Sequence, residues 1–204
     1  MTNYRWFLLF IFIATVIWSA INPQSRIDWF LEALPVLIAA PVIILIARHF
    51  KLSDISYTLI TIYMVLPLIS SHYSVVGVSF GQWIGSLLHT TRNMYDRVTH
   101  FAFGVLWFYP IREMFITKTG NRNHYNHLVP LSLILSLGAL YEIFEWVAAV
   151  HVSPSASSTF LGIQGDIFDA PKDMAVAFLG ALIAMGVVFL FEHFFKNKTS
   201  SIYS

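Results

Sequence analysis

The chain has 204 residues, 57% of them hydrophobic and 11% charged, with a formal net charge of +1 and a mean hydropathy of +0.68. A soluble domain carries about 25% charged residues, so this chain lacks the surface a water-soluble fold needs, and lipid is the solvent that suits it. The near-zero net charge gives no basic field for nucleic acid, and the absence of cysteine excludes disulfides, thiol nucleophiles and Cys-ligated metal centres.

Apolar stretches long enough, or nearly so, to cross a hydrocarbon core of about 30 Å recur along the chain. The first runs from Trp6 to Ile21. Arg5 ahead of it resembles the opening of a signal peptide, but the region 18–23 lacks a small-x-small cleavage site, which predicts a retained helix. The second, from about Phe30 to Ala47, contains Pro35 and Pro41. The third covers Ile55 to Ser70 with Pro67 near its end. A long loop follows, in which Phe80, Trp83, Ile84, Leu87 and Leu88 fall at helical spacing, predicting a short helix in the membrane interface. The fourth stretch runs from about Val98 to Ile116 with Pro110 inside, the fifth from about Leu128 to Val150, and the sixth from Pro171 to about Phe191. Prolines kink such helices, and neighbouring helices satisfy the carbonyls they free.

The pattern predicts an all-α, polytopic transmembrane bundle of about six helices. A single domain is expected over residues 1–195, with a short polar cytoplasmic tail over 196–204. Arg5, Arg48, Lys51, Arg112, Lys118, Arg122, Lys196 and Lys198 fall at one set of helix ends, and Arg26, Arg92, Arg97 and Lys172 at the other. The positive-inside rule puts the first set, with both termini, in the cytoplasm. Acids divide the opposite way. Asp54, Glu113 and Glu192 belong to the inner side, while Asp28, Glu32, Asp96, Glu142, Glu145, Asp166, Asp169 and Asp173 belong to the outer side. Acidic residues set topology only weakly, so this clustering needs another explanation.

Three clusters fall at the outer end. The first, residues 92–100, carries Tyr95, Asp96, Arg97 and His100 into the fourth helix. Asp96 and His100 are four apart and share a helix face, so Asp96 could orient the imidazole or both could bind a metal. The bland reading is a helix-dipole acid and a hydrogen-bonded core histidine. The second, Tyr141, Glu142, Glu145 and Trp146, lies in the fifth helix, with Glu142 only about 5 Å past the middle of the span by helix rise. An acid at mid-membrane costs about 2.5–3.5 kcal/mol on insertion scales, so two on one helix need a cation, a proton, a metal or a watery pocket. The bland reading is an ion pair with Arg97 or Arg92 that fixes packing. The third, from Gly162 and Gln164 to Asp173, opens the sixth helix with Asp166, Asp169 and Asp173 at spacings of three and four. Helix capping accounts for Asp169 and Asp173 in the bland reading, and less well for Asp166.

Small residues at Ala177, Gly180, Ala181, Ala184 and Gly186 read as close helix packing. His124 and His127, three apart in an expected loop, and His72 with Tyr73 rank below the clusters as sites.

Taken together, the three clusters resemble the YjdF family of bacterial inner-membrane proteins. Tyr95-Asp96-Arg97 with His100-Phe101, Tyr141-Glu142 with Glu145-Trp146, Gln164-Gly165-Asp166 and Asp169 with Asp173 carry the resemblance, supported by Trp18–Ile21 and Ala33–Ala39. It covers nearly the whole chain and implies a multi-pass protein of the bacterial inner membrane, of uncharacterised function. A weaker similarity is to VanZ-like membrane proteins, in Asp96-Arg97-Val98-Thr99-His100-Phe101 and in Asp169, Asp173 and Gly180. Glu145-Trp146 departs from that pattern, and no antibiotic-resistance role is carried over.

The expected site is an outward-facing pocket. Asp96, His100, Glu142, Glu145 and Asp166 are its candidate acids and bases; Arg97, Tyr95, Tyr141, Asp169 and Asp173 are its candidate ligand contacts. It would serve a membrane enzyme or lipid-binding protein acting on an envelope lipid, with carboxylates holding a divalent metal and Arg97 a phosphate. The alternatives are a small proton-coupled transporter and a purely structural cluster of ion pairs.

Overall fold

The structure, a computed structural model, describes residues 2–50, 52–120, 124–151 and 164–200, with the side chains at 48 and 195–200 left out. Lys51 and Arg122 of the charge count, and Gly162 of the third cluster, lie outside the described residues. Seven α-helices are described: α1 Asn3–Ala20, α2 Arg26–His49, α3 Asp54–Tyr73, α4 Ser79–Leu87, α5 Tyr95–Thr119, α6 Tyr125–Val150 and α7 Asp169–Ser200. A 3₁₀ turn, Val75–Gly77, joins α3 to α4. There is no strand among the described residues.

Helix boundaries follow local chemistry. Thr2, Ser25 and Ser53 each accept a hydrogen bond from a backbone amide of the first turn of α1, α2 and α3, satisfying donors that have no partner inside the helix. At the far end of α5, Gly120 takes φ +65°, the left-handed conformation that lets a helix stop. Pro171 sits in the first turn of α7, where its missing N–H costs nothing.

Five helices, α1, α2, α3, α6 and α7, are long and apolar enough to cross a membrane. The expected fourth span, α5, has the length at 25 residues but not the apolarity. The reason is its position. α5 packs against α3, α4, α6 and α7, and the face it turns inward buries Arg97, His100 and Arg112 beside Gly104, Phe108 and Ile111. A helix surrounded by protein can carry polar groups that a lipid-facing helix cannot. α7 also runs on through Ser200, past the expected start of the polar tail.

The tightest approach is between α5 and α7. A methyl group added to Gly104 would lie 1.9 Å from the Ala177 carbonyl oxygen, and one on Gly180 would lie 2.4 Å from that of Phe101. Ala177, Ala181 and Ala184 pack here with Phe108, Ile111, Leu131 and Ile134. Gly186, expected in the same stripe, has nothing within 4 Å of an added methyl and takes no part.

α4 turns Gly81 and Gly85 against the segment that leads into α5. Phe80, Trp83, Leu87 and Leu88 are exposed on its other side, and Ile84 is half-buried. It thereby supports Asn93, whose side-chain amide donates to the carbonyls of Val76 and Val78 and whose Oδ1 accepts from the Tyr95 amide.

Candidate functional site

The two ends of the bundle treat their acids differently. At the end holding the start of α1, each carboxylate has a dedicated partner. Arg5 donates to Asp54 at 2.6 Å, Arg112 to Glu192 at 2.7 Å, and Glu113 accepts from the amide and hydroxyl of Ser53 and from the Ser56 hydroxyl. These pairs tie α1 to α3, α5 to α7 and α5 to α3.

At the opposite end, the starts of α5 and α7 meet the end of α6. Arg97 is held by Asp169 and Asp173 of α7, with Asp166 at 3.5 Å and Asp96 at 3.9 Å. Arg92 donates to Asp169 at 2.5 Å and lies 3.6 Å from Asp96. Lys172 donates to Asp166 at 2.7 Å and thereby holds that carboxyl below the ordinary aspartate range. Asp166 also accepts from the Phe168 amide. The turn is reached through Gln164 and Gly165, both left-handed, and glycine is the residue that takes φ +85° without strain. The Gln164 side-chain amide exchanges two hydrogen bonds with the Asn93 backbone, fixing the entry to α7 against the entry to α5.

This network accounts for the two arginines but not for the acids beside it. Asp173 is 2% exposed; one oxygen meets Arg97, while Oδ1 has no hydrogen-bond partner among the described residues. Glu142 Oε1 is likewise unpartnered and lies 3.5 Å from His100 Nε2. His100 Nε2 also lies 3.6 Å from Asp96 Oδ1, and its ring stands edge-on to Tyr141 at 5.6 Å. Ligand atoms of Asp96, His100 and Asp173 all lie within 4.8 Å of one another. Ligand atoms bound to one divalent cation at about 2.0–2.6 Å sit about 3–5 Å apart, so the spacing lies within reach of a common ion. Two carboxylates and an imidazole are ordinary ligands for divalent metals.

Glu145 and Tyr141, with Asp96 and His100, line a cavity of about 250 Å³. Its lining comes from α2, α3, α5 and α6, with Val75 of the 3₁₀ turn. Its polar groups include Glu32, Ser70, Asp96, His100, Tyr141 and Glu145, and its apolar wall includes Val36, Ala39, Phe103, Trp107 and Leu137. A second cavity, between α1, α2 and α3, shares Met64 with the first as a wall residue.

Of the expected site residues, Asp96, His100, Glu142, Asp169, Asp173 and Arg97 converge between α5, α6 and α7. Glu145 and Tyr141 face the cavity, and Asp166 stays at the rim with Lys172. Tyr95 is buried, and its hydroxyl donates to the Leu66 carbonyl at 2.9 Å, bracing α5 on α3. His72 is a packing residue, stacked on Trp18 at 4.5 Å with Nδ1 3.2 Å from the Ser19 carbonyl oxygen. His127 belongs to α6 instead of a loop, and His124 precedes that helix with its ring against Tyr125.

Sequence reasoning passed over Glu32. It is 5% exposed, lines the cavity and has no hydrogen-bond partner for Oε1 among the described residues. The signal was present: Asp28 and Glu32, four apart, are the acids of an otherwise apolar helix.

The family described as "Predicted membrane protein (DUF2238)" matches residues 4–193. The inner membrane protein YjdF of Escherichia coli (strain K12) is 32% identical over 177 residues, covering 86% of this chain and 83% of that protein. No solved structure matches.

Proposed function

We propose that this chain, which belongs to the DUF2238 family of predicted membrane proteins, is a multi-pass inner-membrane protein that binds a divalent cation at its acid-rich end. The printed name of the Escherichia coli relative supports the inner-membrane assignment. α5 crosses with the five apolar helices, both termini lie in the cytoplasm, and the acid-rich end faces outward, as the distribution of lysine and arginine favours.

The observation that carries the reading is the pair of unpartnered buried oxygens, Asp173 Oδ1 and Glu142 Oε1, beside an imidazole and a further carboxylate. An unmatched carboxylate in low dielectric is costly, and a cation or proton must answer it. Asp96, His100 and Asp173 supply the ligands, Glu142 a fourth oxygen close by, and Arg97 fixes Asp173 from behind. A second-sphere contact of this kind orients a ligand and tunes its metal. Arg97 is already engaged by Asp169 and Asp173, which favours a positioning role over a phosphate-binding one.

The test is elemental analysis of the purified protein after loading with Zn²⁺ or Mn²⁺ and removal of excess. Wild type and Asp54→Asn are expected to retain about one ion per chain; Asp173→Asn and Glu142→Gln are expected to retain much less while keeping wild-type helicity and monodispersity. A wild type that retains none, or an Asp173→Asn protein that matches it, overturns the proposal.

A further inference from the structure

The cavity beside the proposed ion site has a chemistry of its own. Its charged lining includes Glu32, Asp96 and Glu145, and among the described residues neither lysine nor arginine lines it. Four aromatic side chains, Tyr63, Phe103, Trp107 and Tyr141, stand around it. Tyr63 meets Trp107 edge-on at 6.0 Å and Phe103, tilted, at 5.3 Å, so these three rings form one cluster, while Tyr141 stands against His100. Acids with aromatic faces attract an organic cation, through charge and through the ring quadrupole. They repel phosphates and carboxylates.

Glu32 makes this more than a cluster of acids. Its side chain is almost wholly buried, comes from a different helix from the other two acids, and keeps an unpartnered oxygen. Ser70 and the Val75 backbone lie beside it and account for part of its hydrogen-bonding capacity. The cavity is small for a ligand site, where about 300–1,000 Å³ is usual, so it suits a head group better than a whole lipid. Its α6 wall holds free space beside the buried Gly138. Leu137 lines it and is 43% exposed, and an added methyl on Gly138 would meet nothing within 4 Å. The lining therefore runs from acids to apolar side chains that reach the bundle surface.

We propose that this cavity binds the ammonium group of a membrane-borne organic cation, whose apolar chain leaves past Leu137 between α2 and α6. Glu32 is its principal counter-charge, with Glu145 as a second. Glu32 is not among the ligands of the proposed metal, so the two readings fail separately.

The probes are decyltrimethylammonium, decanol and decyl phosphate, titrated into the purified full chain in a neutral detergent, with binding read by native mass spectrometry and thermal shift. Decyltrimethylammonium is expected to bind saturably and to raise the melting temperature, while decanol and decyl phosphate do neither. Glu32→Gln is expected to weaken ammonium binding at least tenfold and to leave the metal content unchanged. Gly138→Leu, which puts bulk into that free space without altering charge, is expected to abolish binding and serves if Glu32→Gln does not fold. Equal response to all three amphiphiles means partition into the micelle and overturns the proposal. So does undiminished ammonium binding in a folded Glu32→Gln protein, or in Gly138→Leu.

Discussion

Arg97 is bounded by Asp96 on its own helix and by Asp166, Asp169 and Asp173 across the interface. Removing a guanidinium from such a place leaves buried carboxylates facing one another, and breaking a buried pair from one side costs about 3–5 kcal/mol. Arg97→Gln is therefore expected to lower thermal stability by that order, with part of the loss recovered in Arg97→Gln/Asp173→Asn. An equal or greater loss in the double variant contradicts the pairing. At the rim, Lys172 holds Asp166 ionised below the ordinary value of 3.8, so this pair contributes above that pH and is lost as the pH falls through the depressed value. Lys172→Ala is expected to move the Asp166 titration upward, which carboxyl NMR reads directly. Asp169 and Asp173 show why individual roles were hard to read from sequence. Both sit where capping acids sit, and the arrival of Arg97, with Arg92 beside Asp169, from some seventy residues earlier in the chain turns them into ion-pair partners.

At the level of elements, the site depends on how closely α5 and α7 approach. Gly104 and Gly180 allow backbone contact, and the ion network lies one to two turns from it along both helices. Gly180→Ala forces a methyl against the Phe101 carbonyl and is expected to cost about 1–3 kcal/mol, as overpacking does. Gly186→Ala, with open space around it, is expected to leave thermal stability unchanged or to raise it by up to about 1 kcal/mol through helix propensity. Equal losses in the two variants contradict the interface. The small-residue stripe was legible because its spacing is local. Gly186 was misassigned because periodicity alone does not say where two helices diverge. Glu32 was missed for a related reason: its spacing from Asp28 marked an unusual pair, but the cavity it lines is completed by α3, α5 and α6, which α2 alone does not reveal.

For the whole molecule, the membrane class, the helix order and most boundaries were legible, because hydropathy and caps act locally. α5 is less apolar than the other long helices. Its polar groups resemble a weak span when read alone and a central helix once its neighbours surround it. The natural absence of cysteine makes topology directly testable. Single cysteines at Thr2 and Thr119 are expected to label from the cytoplasmic side of oriented vesicles, and one at Ser86 on α4 from the other. Labelling of Ser86 and Thr2 from the same side contradicts the proposed arrangement. The central claim, that acids of α5 and α7 and the α5 imidazole close around a cation, is tested most directly by pulsed EPR on the Mn²⁺-loaded protein. A histidine nitrogen coupling in wild type that disappears in His100→Gln, with Mn²⁺ still bound more weakly, is the predicted result. A bound Mn²⁺ with no nitrogen coupling, or with a coupling that survives His100→Gln, would contradict it.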